Sequence, residues 1–273
     1  MHFDSNLLRR YLCGRSCHLP SKPVLEKPLQ CPLCCSTTIK PFHKDKQREY
    51  HQCGKCQLVF VSAPYHLSYS CEKAEYDKHN NQFGDAGYLA FLSRSFLPAI
   101  DWIKHKIHRS GLLHSCEPVV LRGIDFGCGP TPVLAIEIRD QVQAHLNDQM
   151  TKHSENDITY SLSFDMQYYD PMYFPATELA ESSFDLVTCT EVVEHFRSPV
   201  DSWRQLISLM TADSCLVVMT KLVIDCQRFA SWHYKNDPTH VAFYSKETFE
   251  FIANAYQLNY QQLSTDVAMF CKR

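Results

Sequence analysis

Val119-Val120-Leu121-Arg122-Gly123-Ile124-Asp125-Phe126-Gly127-Cys128-Gly129-Pro130-Thr131-Pro132 is the stretch that decides the fold. Its first half is short, apolar and rich in β-branched residues, the composition of a buried strand. An acid and two glycines spaced G-x-G follow. Thr131 is a good helix N-cap and Pro132 a good first helical residue. Val133, Leu134, Ile136 and Ile138 then continue as a helix. Strand, glycine turn, helix is the order found in an open α/β sheet, where ligands bind at the carboxyl ends of the strands. Glycine in that turn lets a ligand approach backbone that a side chain would shield. The dinucleotide fingerprint G-x-G-x-x-G is not met, because Pro132 stands at its third glycine.

Downstream, the polar stretch from Gln141 to Thr159 reads as an extended helix or an insertion, and residues 158–169 read as the next strand. That strand ends in Asp170-Pro171. A carboxylate there can accept two hydrogen bonds from ribose hydroxyls; Asp165 competes for the role. Phe184 to Glu191 is another buried strand ending in polar residues. Ser198-Pro199 then starts an amphipathic helix with Val200, Trp203, Leu206, Ile207 and Met210 on one face. Glu191, Glu194 and His195 are thereby set at the same sheet edge as the glycine turn. After a strand at Leu216–Thr220 comes Trp232-His233-Tyr234-Lys235-Asn236-Asp237-Pro238-Thr239-His240-Val241-Ala242-Phe243-Tyr244, too rich in aromatic and imidazole groups for an ordinary solvated loop. A metal site from His233, Asp237 and His240 and a crossover loop held by internal hydrogen bonds are both open readings. Ser245 caps a further helix. Residues 258–263 and 267–271 form a terminal antiparallel hairpin across Ser264-Thr265-Asp266.

Upstream, Cys31-Pro32-Leu33-Cys34 and Cys53-Gly54-Lys55-Cys56 are two C-x-x-C knuckles eighteen residues apart. Four thiolates from Cys31, Cys34, Cys53 and Cys56 close a tetrahedral shell around zinc. Such a site has no open position for chemistry and serves structure. Cys35, His43 and His51 are nearby substitutes. Residues 1–30, with Cys13, Cys17 and His18, give little to read, and Pro20 and Pro23 break any long helix. Residues 63–85 are polar, and Glu75-Tyr76-Asp77-Lys78-His79-Asn80-Asn81 is either a linker or a segment folded over the ligand pocket. Tyr88 to His108 has helical periodicity, with Pro98 marking a kink or a break between two helices.

The 273 residues suit one medium domain with an appendage. The formal charge of -3 and the mixed signs leave no basic block for gripping nucleic acid nonspecifically. No apolar run reaches transmembrane length and the N-terminus lacks a signal-peptide pattern. Fourteen cysteines without a secreted framework therefore imply a reducing, cytoplasmic setting.

These pieces, CPLC and CGKC, YDKHNN, IDFGCGP, YDP, TCTEVVEHF and WHYKNDPTHVAFY, together resemble a bacterial family of class I S-adenosylmethionine (SAM)-dependent methyltransferases with an N-terminal zinc-ribbon-like segment. The chain departs from the pattern at Thr131, where many methyltransferases have a third glycine, and in the length of segment 141–159. The resemblance implies an α/β fold with a Rossmann-like, mostly parallel sheet, a C-terminal antiparallel hairpin and a small N-terminal zinc-binding segment. It divides the chain into an extension (1–30), the ribbon (31–62), linker and covering helices (63–115) and the methyltransferase domain (116–273). It implies SAM held by Asp125, Gly127, Gly129, Asp170 and Glu191, with Tyr76 and His79 closing over it. A small-molecule acceptor methylated on oxygen or carbon is expected, since no N-P-P-Y-type motif for amino groups of bases follows the fourth motif. His233, His240 and His195 are the candidate bases, because imidazole titrates near neutrality, and Asp237 could orient one of them. An RNA-modifying enzyme that presents RNA on the zinc segment, or a non-catalytic adaptor, are the alternatives.

Overall fold

The computed structural model describes residues 28–78, 82–114, 117–152, 162–175, 179 and 183–272. The first element is an antiparallel hairpin of β1 (Ile39–Lys44) and β2 (Glu49–Cys53), extended by β3 (Val59–Val61). The segment at 63–85, read as a linker or as a stretch folded over the pocket, contains a helix, α1 (Tyr69–Tyr76), whose N-cap Ser68 accepts a hydrogen bond from the Cys71 amide. α2 (Ala86–Arg109) is one continuous helix of 24 residues, so of the kink or break expected at Pro98 the break does not occur. Proline removes one backbone donor, and the buried stripe Leu92, Phe96, Ile100, Ile103 and Ile107 runs along both sides of it and holds the two halves in line.

The main sheet starts with β4 (Val119–Phe126), as the opening stretch predicts. α3 (Val133–Lys152) begins two residues beyond the Thr131 cap and absorbs much of the polar stretch. β5 (Leu162–Tyr169), β6 (Phe184–Thr190), α4 (Pro199–Ser208), β7 (Met210–Met219) and the short α5 (Cys226–Ala230) follow. After β8 (Ala242–Phe243) come α6 (Lys246–Ala255), β9 (Leu258–Gln262) and β10 (Val267–Lys272). Ser245 and Thr248 form a reciprocal capping box at the start of α6.

The six-stranded sheet runs β5-β4-β6-β7-β10-β9. The first four strands are parallel; β10 enters antiparallel between β7 and β9. Alternation with period two sends successive side chains to opposite faces. In β7, Cys215, Val217 and Met219 join the α2 and α3 side, while Leu216 and Val218 join the side of α4 and α6. Trp203, fully buried on the second side, touches Tyr244, Phe249 and Phe270 edge-on.

The ribbon strands share that second core: Cys31, Cys53, Cys56, Leu58 and Phe60 cluster with Trp203, Leu206 and Phe249. Their small sheet is completed from far along the chain, in the order β1-β2-β3-β8. β8 lies inside the polar loop 232–244, so that loop is clamped to the ribbon as a strand. A third cluster, Tyr50, Val59, Val61, Phe229, Tyr234 and Phe243, fills the space between them.

Candidate active site at the carboxyl edge of the sheet

The glycine turn is built almost wholly from backbone. Gly127 and Gly129 have φ of +84° and +66°, which L side chains rarely adopt. A Cβ on Gly127 would also strike the Val192 side chain, 2.7 Å from Cγ1, whereas above Gly129 there is open space. The Gly127 and Cys128 amides donate to the Tyr169 carbonyl at 2.7 and 3.1 Å. Asp170 accepts from the Gly129 amide at 3.0 Å, and its other oxygen accepts from the Met172 and Tyr173 amides. Asp125, at the end of β4, is 3 % exposed and accepts a hydrogen bond from the Thr188 hydroxyl at 2.8 Å. Burial, helped by the nearby Asp170 charge, pushes its carboxyl up to about 7. Asp165, the competing acid, is exposed and bonds Gln167.

A second group of side chains gathers farther along the same edge. Glu191 follows β6 with φ +53°, a strained conformation for this residue. Glu194, fully buried, accepts a hydrogen bond from the Tyr234 hydroxyl at 2.5 Å; the same hydroxyl lies 3.2 Å from Glu191 Oε2 and 3.1 Å from Thr220 Oγ1. One hydroxyl proton thus faces two carboxylates. Burial first, and for Glu194 also the Glu191 charge, raises both carboxyls above their ordinary range.

His195 and His240 pack ring against ring at 4.7 Å, and each is held through Nδ1 by a backbone carbonyl, Thr239 for His195 at 3.3 Å and Tyr234 for His240 at 2.7 Å. Asp237 Oδ2 is 3.8 Å from His240 Nε2. Its other oxygen takes the Thr239 amide and hydroxyl. Burial works against ionisation of Asp237, but the His240 charge and the Thr239 hydrogen bonds outweigh it and hold the carboxyl low. Tyr76 of α1 sets its ring edge-on to His195 at 5.1 Å and donates to Glu72, which pairs with Arg197. Next to it, Asp77 accepts from the Tyr173 hydroxyl at 2.6 Å, close to Asp170. α1 therefore straps the rim between the two groups.

Sequence reasoning missed Arg48, Tyr234 and the burial of Glu194. Arg48 lies between β1 and β2 and is 2 % exposed. Its guanidinium donates to the carbonyls of Lys235, Asp237 (3.0 Å), Pro238 (3.3 Å) and His240 (2.9 Å), and so fixes the backbone that carries Asp237 and His240. Asp45 anchors the other side through Tyr50 and Lys235. Nothing local in the sequence marks Arg48, whose partners are about 190 positions away. His195, His240 and Asp237 converge, whereas His233 is exposed and faces Lys221 at 3.1 Å. The trio His233, Asp237 and His240 is not brought together; Glu194, His195 and His240 are, with ligand atoms within 4.8 Å of one another. His79 lies outside the described residues.

The four knuckle thiols also converge within 4.8 Å. Cys31 and Cys56 sulfurs are 3.4 Å apart and Cys34 and Cys53 3.5 Å, close to the edge of roughly 3.8 Å that Zn–S bonds of about 2.3 Å impose on a tetrahedron. Cys35 is exposed, and neither His43 nor His51 joins the group.

The sequence pattern of a family described as "Methyltransferase domain" matches residues 90–263, well over half of the chain. The protein belongs to this family, and its parallel sheet with an antiparallel terminal hairpin is the Rossmann-like sheet of class I SAM-dependent methyltransferases. No curated protein matches the chain. Among solved structures it is similar to the YcgJ protein from Bacillus subtilis (17 % identity, 59 % of this chain and 71 % of that one, TM-score 0.35). It is similar too to an O-methyltransferase family protein from Burkholderia thailandensis (11 %, 74 % and 62 %, TM-score 0.39). Human N-acetylserotonin methyltransferase in complex with SAM is a third (12 %, 75 % and 66 %, TM-score 0.38). Scores of this size leave the family pattern as the ground for membership. Among the described residues, no helix is long and apolar enough to cross a membrane.

Proposed function

We propose that the protein methylates a small-molecule acceptor, on oxygen or carbon, at the rim formed by Glu191, Glu194, His195, Asp237 and His240. The observation that carries this reading is the strap α1: it joins the glycine turn, through Asp77 and Tyr173, to the imidazole group, through Tyr76 and His195, on one sheet edge. The turn fits SAM: it offers open space at Gly129, backbone free of side chains, and acids at Asp125 and Asp170. SAM, when bound, supplies an electrophilic methyl group on a sulfonium leaving group. Gly127, Gly129, Asp125 and Asp170 hold it in this reading, Asp170 at the ribose because the amides of Gly129, Met172 and Tyr173 fix the carboxylate in place. Glu191 and Tyr76 complete the pocket. The chain's remaining task is to orient the acceptor, exclude water and manage its proton. Those roles fall to His195, His240 and Asp237, with His233 outside the group. Zinc on Cys31, Cys34, Cys53 and Cys56 is structural: it fastens the hairpin whose Arg48 braces the acceptor loop.

Three carboxylates at the rim and a net charge of -3 disfavour a polyphosphate acceptor such as RNA. The test is calorimetric titration with SAM and S-adenosylhomocysteine, followed by transfer of radiolabelled methyl from SAM into a metabolite extract and into bulk RNA. Micromolar binding and RNase-resistant, low-mass label are expected. Label confined to RNase-sensitive material overturns the acceptor class, and folded, zinc-loaded protein that binds no SAM overturns the methyl-transfer reading.

A further inference from the structure

We infer that Glu194, His195 and His240 form a binding site for a divalent first-row cation at the acceptor end of the rim. The two imidazoles come from separate segments, yet each is fixed in the same way. A carbonyl oxygen can only accept, so the Thr239 and Tyr234 carbonyls place the ring protons of His195 and His240 on Nδ1. In the neutral rings the lone pairs are then on Nε2. This pairing of an imidazole N–H with a backbone carbonyl is the usual outer support of a metal-ligating histidine.

The Nε2 atoms turn toward carboxylates: His195 Nε2 lies 4.0 Å from Glu194 Oε1, and His240 Nε2 3.8 Å from Asp237 Oδ2. Lone pairs directed at carboxylate oxygens repel unless positive charge lies between them, supplied either by a proton on Nε2 or by a bound cation. The separations are too long for a hydrogen bond. The Glu194–His195 separation is nearer to what two ligands sharing one cation need: bonds of about 2.1 Å put neighbouring ligand atoms roughly 3.0–3.4 Å apart, so closure takes about 1 Å at most.

The second, independent observation is Glu194 itself. Its carboxylate is fully buried, and Oε2 has no hydrogen-bond partner among the described residues; the same holds for Glu191 Oε1. A buried oxygen without a donor costs about 1–3 kcal/mol, and the Tyr234 proton can serve only one of the two glutamates. A cation among Glu194, His195 and His240 resolves the Glu194 deficit. Two imidazoles with one carboxylate suit manganese, iron or zinc better than magnesium or calcium. Two neutral imidazoles and one carboxylate leave coordination positions for an acceptor oxygen or water. The inference deepens the methyl-transfer reading and rests on it only for the cation's use, which is to hold a hydroxyl acceptor by its oxygen.

The test is Mn2+ titration of the zinc-loaded full chain, followed by the electron paramagnetic resonance signal of free Mn2+. Thiolates select zinc over manganese, so the four-cysteine site does not report. Wild type is expected to remove one Mn2+ per chain from solution. Glu194→Gln and His240→Asn, which nearly preserve shape, are expected to weaken it at least ~10-fold, with SAM affinity measured on the same samples as the check on folding. No Mn2+ uptake at millimolar concentration, or equal uptake by wild type and both variants, overturns the site. Mn2+ uptake without SAM binding keeps the site and overturns the methyl-transfer reading; SAM binding without Mn2+ uptake does the reverse.

Discussion

The glycine turn and the Glu194–His195–His240 group lie on one sheet edge but are built by different means. The turn is local. Within fourteen residues, strand, positive-φ glycines and helix follow from residue type, and its partners from elsewhere are few: Tyr169 and Asp170 at the end of the adjacent parallel strand, and Thr188 and Val192 at the end of β6. The imidazole group draws on the end of β6, loop 232–244, α1 and the ribbon hairpin. A site of the first kind fails by steric change at one residue, whereas a site of the second kind fails when a distant brace is removed.

The strongest way to break this contrast is to disrupt the four-cysteine group proposed to hold zinc. Cys56→Ser is expected to lose the metal and lower the thermal midpoint by more than about 10 °C, because structural zinc contributes folding free energy directly and the thiols share the core with Trp203. Zinc analysis with a melting curve checks this; a metal-free variant with an unchanged midpoint would show that the ribbon stands apart from the sheet. Next is Gly127→Val, which places a Cβ against Val192 at a φ of +84°. SAM affinity should fall by at least ~100-fold, a value in line with the few kcal/mol of strain at such a position, while Mn2+ uptake at the other group is retained. Loss of both would merge the two regions into one.

The pH dependence of Asp125 sharpens the turn side. Its folded carboxyl, at about 7, lies above the ordinary 3.8 because of burial, so the folded state holds the proton more tightly than the unfolded one. The contribution of Asp125 to stability is full below about pH 4 and declines as pH rises toward 7, by up to about 4 kcal/mol at 1.36 kcal/mol per unit. Asp125→Asn lacks this slope, so denaturant unfolding at pH 5 and pH 8 should show the variant gaining on wild type; parallel curves would contradict it.

Arg48→Met tests the brace. It strips four loop carbonyls of their donor, at a cost of about 3 kcal/mol. Methyl transfer should drop much more than SAM affinity, and amides 235–241 should exchange faster. Equal losses in both would mean that Arg48 supports the whole sheet. The smallest effect is expected from Tyr234→Phe. It removes one hydroxyl proton between Glu191 and Glu194, worth about 1–2 kcal/mol, so turnover should fall roughly tenfold with SAM affinity unchanged.

The sequence by itself determined the α/β class, the parallel strands, the terminal hairpin and the approach of the four knuckle cysteines. Each depends on residues close in the chain or on a periodicity the chain displays: β-branched runs, alternation, glycine and proline chemistry, and C-x-x-C spacing. At Pro98 the sequence left a kink or a break open, and the helix stays continuous because a buried apolar stripe overrides a single lost hydrogen bond; between the linker and pocket-covering readings of 63–85 the sequence could not choose, because α1 gains its place from Arg197, Tyr173 and His195, all far away in sequence. Tertiary structure alone decided which histidines meet. His233 and His240 stand in the same dense loop, yet one faces solvent and Lys221 while the other is turned inward beside His195. That choice is made by β8 pairing with β3 and by Arg48 gathering the loop carbonyls. A buried guanidinium and backbone carbonyls must satisfy one another wherever the chain brings them together, and a pairing made across about 190 residues leaves no mark on the residues nearby.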